Sequence, residues 1–377
     1  MNELVSETAP QNPRLVSLDA LRGFDMFWIV GGNRCLRAVA DCIYPDIPAW
    51  LTYHLQHPDW TGFSAWDLVM PLFLFVVGVA MPFSFARRIE LGERPAQLYG
   101  KLIRRTLLLF VLGMVAQGHL LEFKISTLHV YCNTLQAIAA GYLMAGVIML
   151  HLPVLGQAIT CATLLITYWL LMIWVPVPGH GAGVIEPDAN LALALDEFVL
   201  GRFRDGTHYT WILSSMGFGA SVLMGVLAGH GLRSGAKPST KIQGLVVAGL
   251  LCLAMGWAWS EWIGFPIIKH IWTSSMALWA GGWSLLLLAL FYGLIDVARI
   301  DRWAFPLVVI GSNAIAVYMA VKFIPFREIS KTLVGGLARH LDNFCTDLGP
   351  VLVAFVALLL VWMMLYHMYR RKIFLRI

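Results

Sequence analysis

Apolar runs of about 20 residues follow one another along nearly the whole chain, divided by short polar stretches, and runs of that length can cross a bilayer as helices. About ten such helices are predicted, at roughly 18–40, 66–86, 100–118, 131–150, 153–175, 211–230, 241–261, 272–296, 303–325 and 350–369. Lipid offers no partner for a free backbone amide, so segments that bond internally are expected, and open strands are not. The fold class that follows is all-α: a polytopic membrane helix bundle. A polar N-terminal segment, 1–17, precedes a single transmembrane domain over 18–377. The first apolar stretch is interrupted by Asp19, Arg22 and Asp25 and has no small-residue cleavage site, so it is expected to remain in the mature protein.

Composition agrees with the pattern. Of 377 residues, 59% are hydrophobic and only 13% charged, which leaves too little polar surface to cover a water-soluble globule. The net charge of +5 comes from connecting segments, where it implies membrane topology and not a nucleic-acid partner. An N-terminus in the cytoplasm puts Arg14, Arg22, Arg87-Arg88, Arg104-Arg105, Arg370-Arg371-Lys372 and Arg376 inside, as the positive-inside rule asks, and brings the C-terminus inside too. Outside lie the longer connections 41–65, 176–210, 262–271 and 326–349. The second of these, rich in Gly, Pro and Asp, reads equally as a binding element or as a loose loop. The six cysteines are scattered, with no metal-ligand spacing; Cys35 and Cys42 could pair outside the membrane but read better as small buried residues.

Several polar residues lie where lipid would exclude them. Asp19, Arg22 and Asp25, spaced three apart, fall on one helix face as a potential Asp-Arg-Asp ladder. Each ionisable group costs about 2.5–3.5 kcal/mol at the bilayer centre, so such groups face partners or polar cavities. The ladder reads either as a structural device or as a cationic anchor for an anionic ligand. Gly31 and Gly32 permit close backbone approach, and Asn33 adds a donor and an acceptor. Before the second helix stands "HLQHPDW", followed by Asp67 in that helix's first turn, where a carboxylate is favourable for the helix dipole alone. Yet His57 with Asp59 and Asp67 also supplies an imidazole base and carboxylates to orient it. His54, His57 and Asp59 lack a third imidazole nearby, so no metal is expected. Asn133, Gln136, Lys269, His270, Ser312 and Asn313 each read singly as interhelical hydrogen bonds and jointly as a polar lumen. The glycine-rich "GFGASVLMGVLAG" at 217–229 suits either internal packing or a homodimer.

The segments "RLVSLDALRGFDM", "HPDWTGFSAWDLVMPLFLFVVG", "NTLQAIAAGYL", "FPIIKHIWTSSMAL", "IGSNAIAVYM" and "YRRKIF", in that order from Arg14 to the C-terminus, resemble the heparan-alpha-glucosaminide N-acetyltransferase family, and more narrowly its bacterial amino-sugar-utilisation branch. The resemblance implies a multi-pass protein of the bacterial inner membrane that takes acetyl-CoA from the cytoplasm and acetylates the amine of glucosamine or a terminal glucosaminide on the other face. The family's active histidine lies in a His-x-x-Trp-x-Gly-x-x-x-x-Asp pattern that falls on His57, Trp60, Gly62 and Asp67. Its helix-one asparagine falls on Asn33. By this resemblance His57, Asn33 and Asp67 are the expected catalytic set, with Asp59, Trp60, Lys269, His270 and Asn313 toward the acceptor. From charge and side, the pantetheine arm is expected beside Gly31 and Gly32, and the phosphates near Arg22, Arg87, Arg88, Arg104 or Arg105. The loop over 176–210 differs from that of animal relatives, which favours a small amino sugar over a polysaccharide. Two other functions fit the same pattern: an amino-sugar transporter, and an acyltransferase acting on a sugar hydroxyl.

Overall fold

The computed structural model describes residues 15–344 and 346–375. Arg14, Cys345, Arg376 and most of the 1–17 segment therefore lie outside the described residues. α1 (Val16–Phe27) runs through one π turn, Trp28–Gly32, into α2 (Asn33–Ile43). Then come α3 (Ala49–Leu55), α4 (Val69–Glu90), α5 (Pro95–Ala116), α6 (Thr134–His151) and α7 (Val154–Trp174). Two small antiparallel hairpins follow, β1 (Pro176–Val177) with β2 (Gly181–Ala182) and β3 (Ile185–Glu186) with β4 (Ala189–Asn190). The chain ends with α8 (Leu191–Leu200), α9 (Ser215–Arg233), α10 (Pro238–Glu261), α11 (Ser274–Phe291), α12 (Phe305–Gly311), α13 (Ala314–Phe323), α14 (Phe326–Asp342) and α15 (Leu348–Arg370).

Helix occupies each of the predicted spans, but not all of them are apolar enough to cross a membrane on that ground alone. Among the described residues seven helices are, or up to eight if α12 and α13, bent by 65° at Ser312-Asn313, form one broken span. α5 carries Lys101, Arg104 and Arg105, and the path from α1 to α2 carries Asp19, Arg22, Asp25, Arg34 and Arg37. Charge, not length, sets these two apart. α14 lies where a loop was expected.

Close backbone approach through glycine organises the bundle. A Cβ on Gly78 of α4 would sit 2.0 Å from the Val222 carbonyl oxygen of α9, and one on Gly225 would sit 2.0 Å from that of Phe75. The glycine-rich stretch of α9 is thus covered by α4 of the same chain. α1 and α12 meet the same way, Gly23 against Leu307 and Gly311 against Asp19. Asp296 accepts from the amides of Val16 and Ser17 at 3.2 and 3.3 Å, putting a carboxylate on the orphan donors that open α1. The expected ladder is shorter than the spacing suggested: Arg22 meets Asp19 at 3.5 Å, while both carboxylate oxygens of Asp25 are buried without a hydrogen-bond partner. Cys35 and Cys42 are not joined to each other.

Candidate active site

Asp67 anchors the site. Ser64 caps the short 3-10 turn Ala65–Leu68 that leads into α4, its hydroxyl accepting from the Asp67 amide, while Asp67 Oδ2 accepts from the Ser64 amide at 2.9 Å and from its hydroxyl at 3.1 Å. This reciprocal capping box fixes the carboxylate's rotamer and leaves Oδ1 for other partners. His57 Nδ1 lies 2.6 Å from Asp67 Oδ1, and Lys269 Nζ lies 3.1 Å from the same oxygen. Asp67 is 1% exposed, whereas the His57 side chain is 39% exposed. With Nδ1–H donated to Asp67, the imidazole presents its basic lone pair at Nε2, which has no hydrogen bond among the described residues. Lys269 also comes within 3.2 Å of Nδ1 because both converge on Oδ1.

The loop bearing His57 is held on all sides. Tyr53 Oη accepts from the Phe63 amide, the Gly62 amide donates to the Ile267 carbonyl, and Trp60 Nε1 donates to the Ile185 carbonyl in the second hairpin. Gly62 has φ of 116°, and a Cβ there would meet Tyr53 Oη at 2.7 Å, so no other residue fits. Asn33 Nδ2 donates to the Leu55 carbonyl at 3.3 Å, two residues before His57, and its Oδ1 is buried without a partner.

Lys269 and His270 reach the site on a tight turn, 268–273. The Thr273 hydroxyl accepts from the Ile268 amide and donates to the Pro266 carbonyl; the hydroxyls of Tyr168 and Ser214 both donate to the Ile271 carbonyl. Trp272, 2% exposed, takes the left-handed region with φ of 51°, a strain of about 1–3 kcal/mol that this network holds in place. His270 stacks on Trp60 at 5.3 Å and lies 4.4 Å from the Tyr209 ring. Burial between those rings, with the Lys269 ammonium beside it, brings the His270 imidazole down to about 4. Burial also pulls Lys269 below its ordinary value, against the attraction of Asp67, and pushes the Tyr209 phenol up to about 12.

The structure thus gathers His57, Asp67, Trp60, Lys269 and His270 at one end of the bundle, with Asn33 tied to the same loop. Asp59 is exposed, and Asp67, not Asp59, holds the imidazole. Asn313 does not belong to the group. At the α12–α13 bend its amide donates to the Ile373 carbonyl and accepts from the Leu375 amide, clamping the C-terminal tail, so its polar atoms are already satisfied there. Tyr209 and His208, which sequence reasoning passed over, join the aromatic wall, and the 176–210 loop that carries His208 is built into hairpins and α8.

At the far end of α4 a small cleft of about 50 Å³ gathers Arg88, Lys101, Arg104 and Arg105. Arg105 lies over the Tyr142 ring at 4.5 Å and its Nε is buried without a hydrogen-bond partner. Arg87 is exposed outside this cleft, and Arg22 is engaged with Asp19. Lys101 was missed, although it stands three and four residues before the two arginines, hence on their helix face. Gly31 lines a different and larger cavity, whereas Gly32 faces the Phe27 ring. Among the described residues no group of His, Cys, Asp and Glu could hold a metal ion.

A multi-pass helical membrane protein with a histidine fixed by a buried carboxylate at one end is the class that fold and site define. No model of a known protein family matches the chain. Over 97% of its length it is 23% identical to human heparan-alpha-glucosaminide N-acetyltransferase, and over 63 residues, 17% of its length, it is 30% identical to the mouse protein of the same name. The chain spans 60% of the human relative's length. These similarities support a distant relationship to that family.

Proposed function

We propose that this protein is a transmembrane N-acetyltransferase that moves an acetyl group from acetyl-CoA to the amine of an amino sugar, glucosamine or a terminal glucosaminide. The observation that carries the reading is the His57–Asp67 pair, with Nδ1 held at 2.6 Å and Nε2 left for a substrate. In the reaction the sugar nitrogen attacks the thioester carbonyl, forming a C–N bond as its proton passes to His57 Nε2. Collapse of the tetrahedral intermediate breaks the C–S bond, and the imidazolium returns the proton to the leaving thiolate. Base catalysis of this kind is worth about 10²–10⁴ in rate. Asp67 keeps Nδ1 protonated and stabilises the imidazolium, and Lys269 balances the buried carboxylate. Asn33, at the start of α2, has a second amide N–H beyond the one given to the Leu55 carbonyl, and that bond holds it beside the His57 loop to serve the oxyanion. The rings of Trp60, His270 and Tyr209 offer flat faces of the kind sugars pack against, with Asp59 at the exposed edge. Arg88, Lys101, Arg104 and Arg105, with the orphaned Arg105 Nε, suit the phosphates of CoA at the opposite membrane face. A cleft of about 50 Å³ admits a phosphate group and not a whole nucleotide. The inner membrane of a bacterium, with both termini in the cytoplasm, is the location that fits this reading.

The test is mass detection of acetylated glucosamine after incubation with acetyl-CoA and purified protein. Wild type is expected to yield N-acetylglucosamine and His57→Ala none, with CoA binding retained. Glucosamine returned unmodified by folded wild-type protein, or full activity in His57→Ala, would sink the assignment.

A further inference from the structure

α2, α14 and α15 enclose a cavity of about 550 Å³ that no step above uses. Its lining runs along α2 from Arg34 to Asp41, toward the His57 loop, and includes the first turns of α15. Its lining divides into two chemistries. From Gly349 to Leu358 α15 descends about 13 Å, and at that depth Leu358 meets Gly31, with Val30 and Ala357 alongside. Arg34, Arg37, Arg327, Lys331 and Arg339 supply five cations, against the carboxylates of Asp41 and Asp342. Asp342 is already engaged, accepting from the Gly349 amide at 2.7 Å to cap α15, and Lys331 pairs with Glu328. Among the described residues Arg34, Arg37 and Arg327 have no ion pair or hydrogen bond.

α14 shows where the cavity stands relative to lipid. Ile329, Leu333 and Leu337, spaced four apart, form an exposed apolar stripe 39%, 63% and 54% accessible. At 100° per residue the stripe falls opposite Arg327 and Lys331, the arrangement of a helix lying in a membrane interface. Exposed Phe355, Leu359 and Met363 carry the apolar surface down α15 beside it.

We propose that this cavity is a binding site for an anionic phospholipid, its phosphate among Arg34, Arg37, Arg327 and Arg339 and an acyl chain along Val30, Ala357 and Leu358. A zwitterionic lipid leaves the cations uncompensated, and a soluble phosphate leaves the apolar depth unfilled. Basic pockets between membrane helices select anionic headgroups on the same physics.

The test is native mass spectrometry and thermal unfolding of the full chain in neutral detergent, with phosphatidylglycerol, phosphatidylcholine or glycerol 3-phosphate added. Wild type is expected to keep phosphatidylglycerol through desolvation and to unfold several degrees higher with it, an increment that grows with lipid concentration. Phosphatidylcholine and glycerol 3-phosphate should give no such increment. Arg34→Gln/Arg327→Gln should lose it while keeping acetyl transfer, and Arg327→Gln alone, on an exposed first turn, should weaken it if the double variant does not fold. Equal stabilisation by phosphatidylcholine, equal stabilisation by glycerol 3-phosphate, a cavity filled by a second copy of the chain, or an increment untouched by both variants would each overturn the lipid site.

Discussion

One oxygen atom, Asp67 Oδ1, receives both His57 and Lys269, and the consequences of changing any of the three differ. Asp67→Asn leaves a hydrogen-bond acceptor of similar shape but removes the charge that stabilises a protonated imidazole, so acetyl transfer is expected to fall by about 10²–10⁴-fold at little change in sugar KM. Steady-state kinetics decide this: a drop confined to KM would remove Asp67 from the proton transfer. Lys269→Met leaves the carboxylate buried with only its imidazole partner and its Ser64 bonds. Breaking a buried pair on one side costs about 3–5 kcal/mol, so this variant is expected to unfold well below wild type in a thermal melt. His270 adds a pH signature. Its imidazole is brought down to about 4 in the folded protein, while in the unfolded chain it takes up a proton near 6.5. The unfolded state therefore binds more protons between those values, and stability is lost as pH falls from about 6.5 toward 4. His270→Gln should flatten that part of the profile relative to wild type. The comparison between the two proteins matters because Asp196, pushed up to about 6 by burial, bends the profile of both in the opposite sense.

Among the elements, the 268–273 turn does the most to place a charge, setting the Lys269 ammonium against Asp67. "FPIIKHIWTSS" reads as the approach to a helix, and it is the Thr273 hydroxyl, bonded to the Ile268 amide and the Pro266 carbonyl, that folds Lys269 back over Asp67. Thr273→Val keeps the shape and strands the Ile268 amide, at a cost of about 1–3 kcal/mol for a buried unsatisfied group, while the Pro266 carbonyl keeps the Ser275 hydroxyl. The expected outcome is a lower melting temperature with acetyl transfer reduced in step as Lys269 is released. Unchanged stability would mean that Tyr168 and Ser214 hold the turn without it. What sequence made legible here was short-range. The pairing of His57 with Asp67 was legible only through the resemblance carried by the spacing of His57, Trp60, Gly62 and Asp67; the residues alone left Asp59 and Asp67 both open as partners of the imidazole. Tyr209, Asn313 and α14 were not legible. Tyr209 enters through a long-range contact with His270, and Asn313 looks polar in a span until the returning C-terminal tail is seen to satisfy it. α14 hides because its apolar residues recur every fourth position within an otherwise charged connection, too sparsely for a hydropathy reading to register.

At the scale of the whole molecule, α4 acts as the ruler. From Asp67 to Arg88 the helical path climbs about 32 Å at 1.5 Å per residue, close to the hydrocarbon thickness of a bilayer. His57 and the cluster of Arg88, Lys101, Arg104 and Arg105 are therefore set at opposite ends by a single continuous element, and α4 is itself locked to α9 through Gly78 and Gly225. A donor whose phosphates sit in that cluster must extend its arm through most of the membrane to bring a thioester to the imidazole. Under the proposed function, the two substrates arrive from different sides because of this distance and not through any property of the histidine. Sided labelling tests it directly. With the native cysteines replaced by serine, Gln56→Cys, next to His57, and Ala96→Cys, in the first turn of α5, should react with an impermeant maleimide from opposite faces of sealed vesicles, Ala96→Cys from the cytoplasmic one. Labelling of both from one face would mean that α4 does not span, and an acetyl group would then have no membrane to cross.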